Sequence, residues 1–347
     1  MKEHQIKENI AVQPKRYRSL FVFFTVVLLF SAALNIMLGS INISFSELFR
    51  IIHTHDTVTT NGFIVWKIRI PRTIAAVIGG AYLAVSGLLL QVFFRNPIVG
   101  PFILGISSGA TLIVSVVMLT TLSLGFTALA PFLTTLSALA GAYAVMAVVL
   151  LIAAKVKNAI TLLIAGLMMG YLCHAVTSVL VAFARQENLK MFVLWQLGSF
   201  SGFKWSEIRI LFIFGGLILV LVYALSKPLN AFLLGEAYAS TMGVNIRVFR
   251  FLIIFCSCAL AGMVTATAGP VAFIGLAVPH MARLCFVTSD NRILIPGTVL
   301  TGAIVTGLCD LVARLAFSPI ELPISSITAF FGAPIVISLL IKRKVSI

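Results

Sequence analysis

Ten apolar runs, most of them close to the length that crosses a bilayer, dominate this sequence. A helix needs about 20 consecutive apolar residues to span the hydrocarbon layer. The sequence therefore predicts an all-α polytopic membrane protein with ten transmembrane helices. The runs are Leu20–Leu38, Thr73–Phe93, Phe102–Leu122, Ala130–Ala154, Thr161–Ala184, Ile208–Leu225, Phe249–Ala266, Val271–Val287, Leu294–Phe317 and Ser325–Ile341.

The composition excludes a water-soluble domain. Of 347 residues, 60% are hydrophobic and 10% are charged, whereas soluble domains carry about 25% charged residues. The net charge of +15 does not indicate nucleic-acid binding, because the basic residues form short clusters between the apolar runs. We predict one transmembrane domain, residues 20–341, between a cytoplasmic N-terminal segment, 1–19, and a cytoplasmic basic tail, 342–347.

The basic residues also predict the orientation. An even number of helices places both termini on one side, and most of the 25 Lys and Arg residues then lie on the side of the N-terminus. Cytoplasmic loops carry such an excess, so both termini are predicted to be cytoplasmic. The outer segment Asn42–Arg72 contains a short helix that Ser44 can cap, and the outer segment Arg185–Trp205 carries tryptophans suited to the membrane interface.

Two Gly-Pro pairs suggest an internal repeat. Gly100-Pro101 opens the third run, and Gly269-Pro270 opens the eighth. Each of these two runs is the second helix of a predicted block of four helices. The blocks are helices 2–5 and helices 7–10, and helices 1 and 6 lie outside them. One block starts outside and the other inside, so the repeats are predicted to be inverted, an arrangement typical of transporters.

Chemical motifs are nearly absent. The sequence has no nucleotide-binding G-x-x-x-x-G-K-[ST] loop, no H-E-x-x-H and no metal-ligand spacing of Cys and His. We therefore predict no catalytic residue, no metal site and no cofactor for this chain, and we expect its five cysteines to be packing residues. Asp310, the one acid well inside an apolar run, shares a helix face with Arg314. His174 is interpreted as a hydrogen-bonded packing histidine. The scarcity of acidic residues within the predicted helices disfavours coupling of transport to an ion gradient.

An ordered set of short motifs resembles the FecCD-type permeases of the ferric-siderophore, haem and vitamin B12 ABC importers. The resemblance covers about residues 20–345 and does not specify the cargo. Its motifs are Arg69-Ile70-Pro71-Arg72, Gly80–Gly87, Gln91, Arg95-Asn96-Pro97, Leu104-Gly105, Ser108-Gly109-Ala110, Ala165-Gly166, Trp195, Leu197-Gly198, Phe273-Ile274-Gly275-Leu276, Pro279-His280, Glu321-Leu322-Pro323 and Gly332-Ala333-Pro334.

The resemblance implies partners. Permeases of this kind work in pairs with two ABC ATPase subunits, which hold the ATP and Mg²⁺, and a short helix between helices 6 and 7 inserts into the ATPase. Here the implied coupling segment is a small-residue helix between two glycines, on the side predicted to be cytoplasmic. It comprises Leu234, Gly235, Glu236, Ala237, Tyr238, Ala239, Ser240, Met242 and Gly243.

The resemblance also implies a docking site and a pathway. Arg69, Arg72 and Arg314 would face outward and pair with glutamates of an extracytoplasmic substrate-binding protein; anchoring in lipid headgroups is the alternative. The implied gate and pathway residues are Asn96, Pro97, Ile98, Ala159, Ile160, Gly166, Met169 and Gly170. Ala159-Ile160 departs from the small hydroxylated residues usual there, and packing between helices also explains the glycines.

Together these inferences predict a non-enzymatic permease that imports an iron chelate, a ferric siderophore or haem, by ATP-driven alternating access. It would lie in a bacterial or archaeal plasma membrane as a homodimer, bound to ABC ATPases and a binding protein, without nucleic acid. A cobalamin importer is the alternative. A stand-alone ion-coupled secondary transporter is the second alternative.

Overall fold

The computed structural model describes residues 2–120, 130–156 and 159–341, and within these ranges the regular secondary structure is entirely helical. The predicted tail, 342–347, lies outside the described residues. The α-helices are α1 Lys2–Met37, α2 Phe45–Thr54, α3 Thr60–Phe63, α4 Ile70–Phe93, α5 Ile106–Leu119, α6 Ala130–Lys155, α7 Ala159–Ala182, α8 Gln186–Gln196, α9 Trp205–Ile210, α10 Gly216–Ala224, α11 Ser226–Leu233, α12 Glu236–Thr241, α13 Ile246–Ala268, α14 Ile274–Phe286, α15 Asn291–Leu315 and α16 Ile324–Ile341.

Each predicted apolar run coincides with helical structure, which confirms an all-α polytopic membrane protein. In the described ranges, seven of the ten predicted crossings are helices long and apolar enough to span a membrane. The other three, α5, α14 and α16, are shorter apolar helices. The seven long apolar spans are Lys15–Met37, Thr60–Phe93, Leu133–Lys155, Ile160–Ala182, Trp205–Ala224, Ile246–Ala268 and Asn291–Leu315.

The second and third spans begin differently from the prediction. A π-helical turn, Ile64–Arg69, joins α3 to α4, so the second span begins at Thr60, where the Thr59 hydroxyl accepts a hydrogen bond from a backbone N–H. The third run opens instead as a 3₁₀ turn, Pro101–Leu104, followed by left-handed Gly105. Proline and glycine end helices readily, so α5 starts only at Ile106. Residues 121 and 122 of this run lie outside the described ranges.

Short helices occupy both of the segments that were predicted to lie outside the membrane. Helix α2 begins as predicted, because the Ser44 hydroxyl accepts a hydrogen bond of 3.3 Å from the Glu47 N–H. Helix α8 lies in the second of these segments. The ring N–H of Trp205, at the end of that segment, donates to the backbone carbonyl of Trp66 at 3.0 Å. This bond ties α9 to the π-helical turn before α4.

The two predicted blocks pack with matching partners. Helix α4 packs against α15, α13 packs against α6, and α4 and α13 pack against each other. At that central contact the Ser86 hydroxyl donates to the Ser257 carbonyl at 2.8 Å, and the Ser257 hydroxyl donates to the Ser86 carbonyl at 2.9 Å. Such reciprocal contacts are what a two-fold axis produces. The packing therefore supports the four-helix repeats.

The Gly-Pro breaks lie at corresponding places in the two blocks, as predicted. Before α14, Gly269 and Phe273 both have positive φ, which interrupts the helix as Gly105 does before α5. The backbones also approach closely here. A Cβ atom on Gly87 would lie 1.7 Å from the carbonyl oxygen of Gly275, so α4 and α14 can meet only at a residue without a side chain.

The cysteines follow the prediction with one exception. Cys173, Cys256, Cys258 and Cys309 are buried and free, and they pack among apolar side chains. Cys285 is also free but exposed, so it is not a packing residue.

Candidate functional site

A cluster of charged residues joins the start of α4 to the end of α15. The Arg72 guanidinium donates to Asp310 over 3.0–3.1 Å and to Glu321 over 2.8–3.0 Å. Asp310 is 1% exposed, whereas Glu321 is 46% exposed. Arg72 thus holds together α4, α15 and the connection to α16. We call Arg69, Arg72, Arg314, Asp310 and Glu321 the arginine cluster.

The other two arginines of the cluster bind the end of α1. Arg69 donates to the carbonyl oxygens of Ile36, at 2.7 Å, and Met37, at 2.8 Å. Arg314 donates to the Asn35 carbonyl and to its side-chain oxygen, both at 2.9 Å, and its Nε lies 3.5 Å from Asp310. The local ion pair considered for Asp310 and Arg314 is therefore present at this longer distance.

The structure places the three predicted docking arginines differently from the expectation that they face outward. Arg69 and Arg72 are buried, Arg314 is largely so, and their guanidinium groups bind acceptors of this chain. A guanidinium removed from water needs such acceptors, because an unpaired buried charge is costly. Docking by these residues stays a prediction. Glu321 is the most exposed carboxylate of the cluster, and no local signal could pair it with Arg72, 249 residues away.

The predicted coupling segment, Leu234–Gly243, forms a short exposed helix between two glycines of positive φ, Gly235 and Gly243. Three large apolar side chains of the segment are exposed: Leu234 before the helix, Tyr238 on it and Met242 directly after it. Ala239 is buried on the inner face, and Ala237, Ser240 and Thr241 complete the helix.

The Glu236 side chain binds another helix of this chain. Its carboxylate accepts from Arg250 of α13 over 2.6 and 2.7 Å. No sequence pattern pointed to Arg250 as the partner of Glu236, although the two lie only 14 residues apart. This ion pair attaches the coupling segment to α13, so movement of one element acts on the other.

The arginine cluster and the coupling segment lie at opposite ends of the bundle. Arg72 is in the first turn of α4, whereas Arg95, just past its last turn, donates to the carbonyl of Leu233 at 2.9 Å. A helix of 24 residues is about 36 Å long at 1.5 Å per residue. Helix α4 therefore connects both sites through one rigid element.

The predicted gate turn lies against α14. The Asn96 side-chain oxygen accepts from the Ile98 N–H at 3.1 Å, and the Pro97 carbonyl lies 2.8 Å from Nε2 of His280. Arg283 of α14 also donates a hydrogen bond to the side-chain oxygen of Gln91 at 2.7 Å, a contact that no sequence pattern predicted. Helix α14 thus holds the turn that follows α4.

The predicted pathway residues of α7 fall into two groups. Gly166 and Gly170 face the 3₁₀ turn: Cβ atoms there would lie 2.9 Å from Leu104 and 3.5 Å from Gly105. They serve close packing, which was the alternative considered. Met169 is half-buried and Ile160 is exposed; Ala159 begins α7, and its side chain lies outside the description.

Taken together, the long apolar spans, the paired four-helix blocks and the two sites at opposite ends define a multi-pass membrane transport protein. The sequence matches the FecCD transport family over residues 27–342. The chain belongs to this family and is an ABC importer permease.

Relatives agree with this assignment. The chain is 38% identical over 290 residues to the vitamin B12 import system permease proteins BtuC of Salmonella paratyphi A and Salmonella typhi, covering 83% of this chain and 86% of theirs. A solved structure of a metal-chelate type ABC transporter, facing inward, has a TM-score of 0.82 at 30% identity and covers 95% of this chain and 99% of that one. PsaBC from Streptococcus pneumoniae, at 14% identity and a TM-score of 0.54, shares the fold, with 86% of this chain and 97% of that one covered.

Proposed function

We propose that the chain is one half of a homodimeric permease that imports a metal chelate, driven by separate ABC ATPase subunits that bind ATP and Mg²⁺. The observation that carries this proposal is the exposure of Leu234, Tyr238 and Met242 in the coupling segment, in a chain whose family match spans most of its length. Exposed apolar side chains gathered on a short segment between membrane spans are typical of an interaction surface. This chain transmits movement and alters no bond in its cargo.

The proposed orientation places the coupling segment and both termini in the cytoplasm of a bacterial or archaeal cell, with the arginine cluster outside. An extracytoplasmic binding protein would deliver the cargo there. Because Arg72 is buried, a glutamate of that protein could reach it only by taking the place of Glu321, the exposed carboxylate. Docking would then release the connection between α15 and α16. Exchange of one acceptor for another leaves no guanidinium unpaired.

For the cargo, we propose an iron chelate, a ferric siderophore or haem. The structural relative described as a metal-chelate type transporter supports this class. Cobalamin is the alternative, favoured by the relatives named vitamin B12 import system permease. Ion-coupled transport is the second alternative. Against it, Asp310 is 1% exposed and forms an ion pair with Arg72 at 3.0 Å, so its carboxylate is already engaged within the chain.

Uptake into proteoliposomes tests the proposal. The chain is reconstituted with its ATPase and binding protein, and entry of the labelled chelate is followed with ATP, without ATP, and with an imposed proton or sodium gradient. We expect uptake only with ATP and only in the presence of the ATPase. Uptake by this chain alone, driven by an ion gradient, would overturn the proposal in favour of a secondary transporter.

A further inference from the structure

A recess opens beside the coupling segment, between the end of α6 and the start of α13. Its volume is about 660 Å³, more than twice that of a wholly separate apolar cavity of about 300 Å³ between α14, α15 and α16. Charged side chains of Arg247, Arg250 and Glu236 line it, and its other lining residues are apolar, among them Leu150 and Phe251.

The recess carries an excess of positive charge. Arg250 forms an ion pair with Glu236 at 2.6 Å. Arg247 is exposed, and its side chain forms no ion pair within the described part of the chain. The recess also adjoins the first turn of α13, where the helix dipole places partial positive charge. An occupant with one negative charge would therefore meet a counter-charge here.

Beyond the arginines, toward the middle of α13, the recess continues as an exposed apolar surface. Val248 and Phe251 are about half exposed. The ring of Phe251 stacks on that of Phe255, one turn further along α13, with ring centroids 6.1 Å apart. Both helices that line the recess belong to the long apolar spans, so acyl chains can cover this surface.

An amphipathic anion fits the recess better than a segment of a water-soluble protein does. Phe251 lies five residues after the first residue of α13, which is about 7.5 Å along the helix axis at 1.5 Å per residue. The recess thus extends from the charged end of the span into its apolar part. Arginine binds phosphate oxygens through paired N–H donors, and basic pockets between transmembrane helices bind the headgroups of anionic lipids.

We infer that this recess binds an anionic phospholipid, with its phosphodiester at Arg247 and its acyl chains along Val248 and Phe251. The lipid would lie beside the ion pair of Glu236 and Arg250, which attaches the coupling segment to α13. This inference concerns the lipid around the permease rather than its cargo or its source of energy, so it goes beyond the proposed function and can fail independently of it.

Photo-crosslinking of the full chain in vesicles tests the inference. The vesicles contain phosphatidylcholine with a minority of phosphatidylglycerol, and the probe is one of these two lipids with a diazirine on an acyl chain. Mass spectrometry of the digested protein locates the adducts. We expect phosphatidylglycerol to label the end of α6 and the start of α13 severalfold more than phosphatidylcholine does.

Arg247→Gln should lower the labelling by limiting phosphatidylglycerol about fivefold at this site, because one basic residue near an anionic membrane surface contributes about 1 kcal/mol. Arg247→Lys, which keeps the charge, should retain most of the labelling. Elution of each variant as a single species in gel filtration checks that it has folded.

Arg292→Gln is the matched control. Arg292 is also exposed, lies in the first turn of α15 and does not line the recess, so this variant should be labelled as the unaltered chain is. Equal labelling by the two lipids, or an equal loss in the Arg247→Gln and Arg292→Gln variants, would overturn the inference. So would loss of the labelling when the ATPase binds, since the recess would then belong to the ATPase contact.

Discussion

Replacing Arg72 by leucine removes the side chain that links α4 to α15 and to the connection after α15. Arg72 donates all the hydrogen bonds that Asp310 receives at 3.0–3.1 Å, and Asp310 is 1% exposed. In the variant, the nearest cation to Asp310 is Arg314, whose Nε lies 3.5 Å away. Breaking one side of a buried ion pair costs about 3–5 kcal/mol. Since Arg314 remains, we expect about 3 kcal/mol of lost stability, the lower end of that range.

The measurement is the free energy of unfolding in mixed detergent micelles, followed by tryptophan fluorescence. A double-mutant cycle isolates the pair. Asp310→Leu alone should also destabilise. Both changes together should cost at least about 2 kcal/mol less than the sum of the two single changes, because the double variant contains neither the unpaired Asp310 carboxylate nor the unpaired Arg72 guanidinium that the single variants leave. Arg50→Leu is the control. Arg50 is exposed and lies 3.9 Å from Glu47, and pairs of that kind contribute about 0–1 kcal/mol.

A loss below about 0.5 kcal/mol for Arg72→Leu would refute this reasoning, since surface changes away from structural features stay within that range. If binding-protein affinity fell in such a stable variant, Arg72 would be a docking charge of the ordinary exposed kind. Charge reversal at Arg72 is a poor test of docking alone. It would bring a third carboxylate up to Asp310 and Glu321 and so perturb the fold as well.

Two further predictions use the same purified protein. Gly87→Ala should destabilise the protein by about 1–3 kcal/mol or more, because the new methyl group would lie 1.7 Å from the Gly275 carbonyl oxygen. Gly216→Ala is the control and should be tolerated, because no atom lies within 4 Å of the added methyl group. Equal stability of the two variants would contradict the close packing of α4 on α14. Glu236→Arg should reduce transport per ATP hydrolysed severalfold, and Arg250→Glu in the same chain should restore it, because the ion pair attaches the coupling segment to α13. Failure of the exchange to restore coupling would show that Glu236 acts on the ATPase directly.

Much of the fold could be predicted because its signals are local. A run of apolar residues, the Ser44 cap and the Gly-Pro breaks each act within a few residues. The same holds for the coupling segment, which two glycines delimit. The boundary at Thr60 was missed because a π-helical turn carries the helix through charged residues that resemble a loop. Helix α11 was missed because it follows α10 after a single residue, Leu225.

The partners of the charged residues could not be predicted, because they are distant in sequence. Asp310 and Arg72 are 238 residues apart, and the local neighbour, Arg314, was the natural candidate instead. The family resemblance implied that the docking arginines face outward, and no local pattern could reveal their acceptors within this chain. An arginine between apolar runs reads as a loop charge until its acceptors are known, and here two of them, Asp310 and the Ile36 carbonyl, come from other helices.

By itself, the sequence determined that this chain is a helical membrane protein with two Gly-Pro-broken blocks, since hydrophobic length and helix punctuation act along one stretch of chain. Only the tertiary structure decided which polar groups have partners. It buried Arg72 against two carboxylates, left Arg247 with none in the described chain, and exposed His174, which was expected to be a hydrogen-bonded packing residue. The physical reason is that satisfying a hydrogen bond depends on where distant helices meet, and no local pattern encodes that meeting.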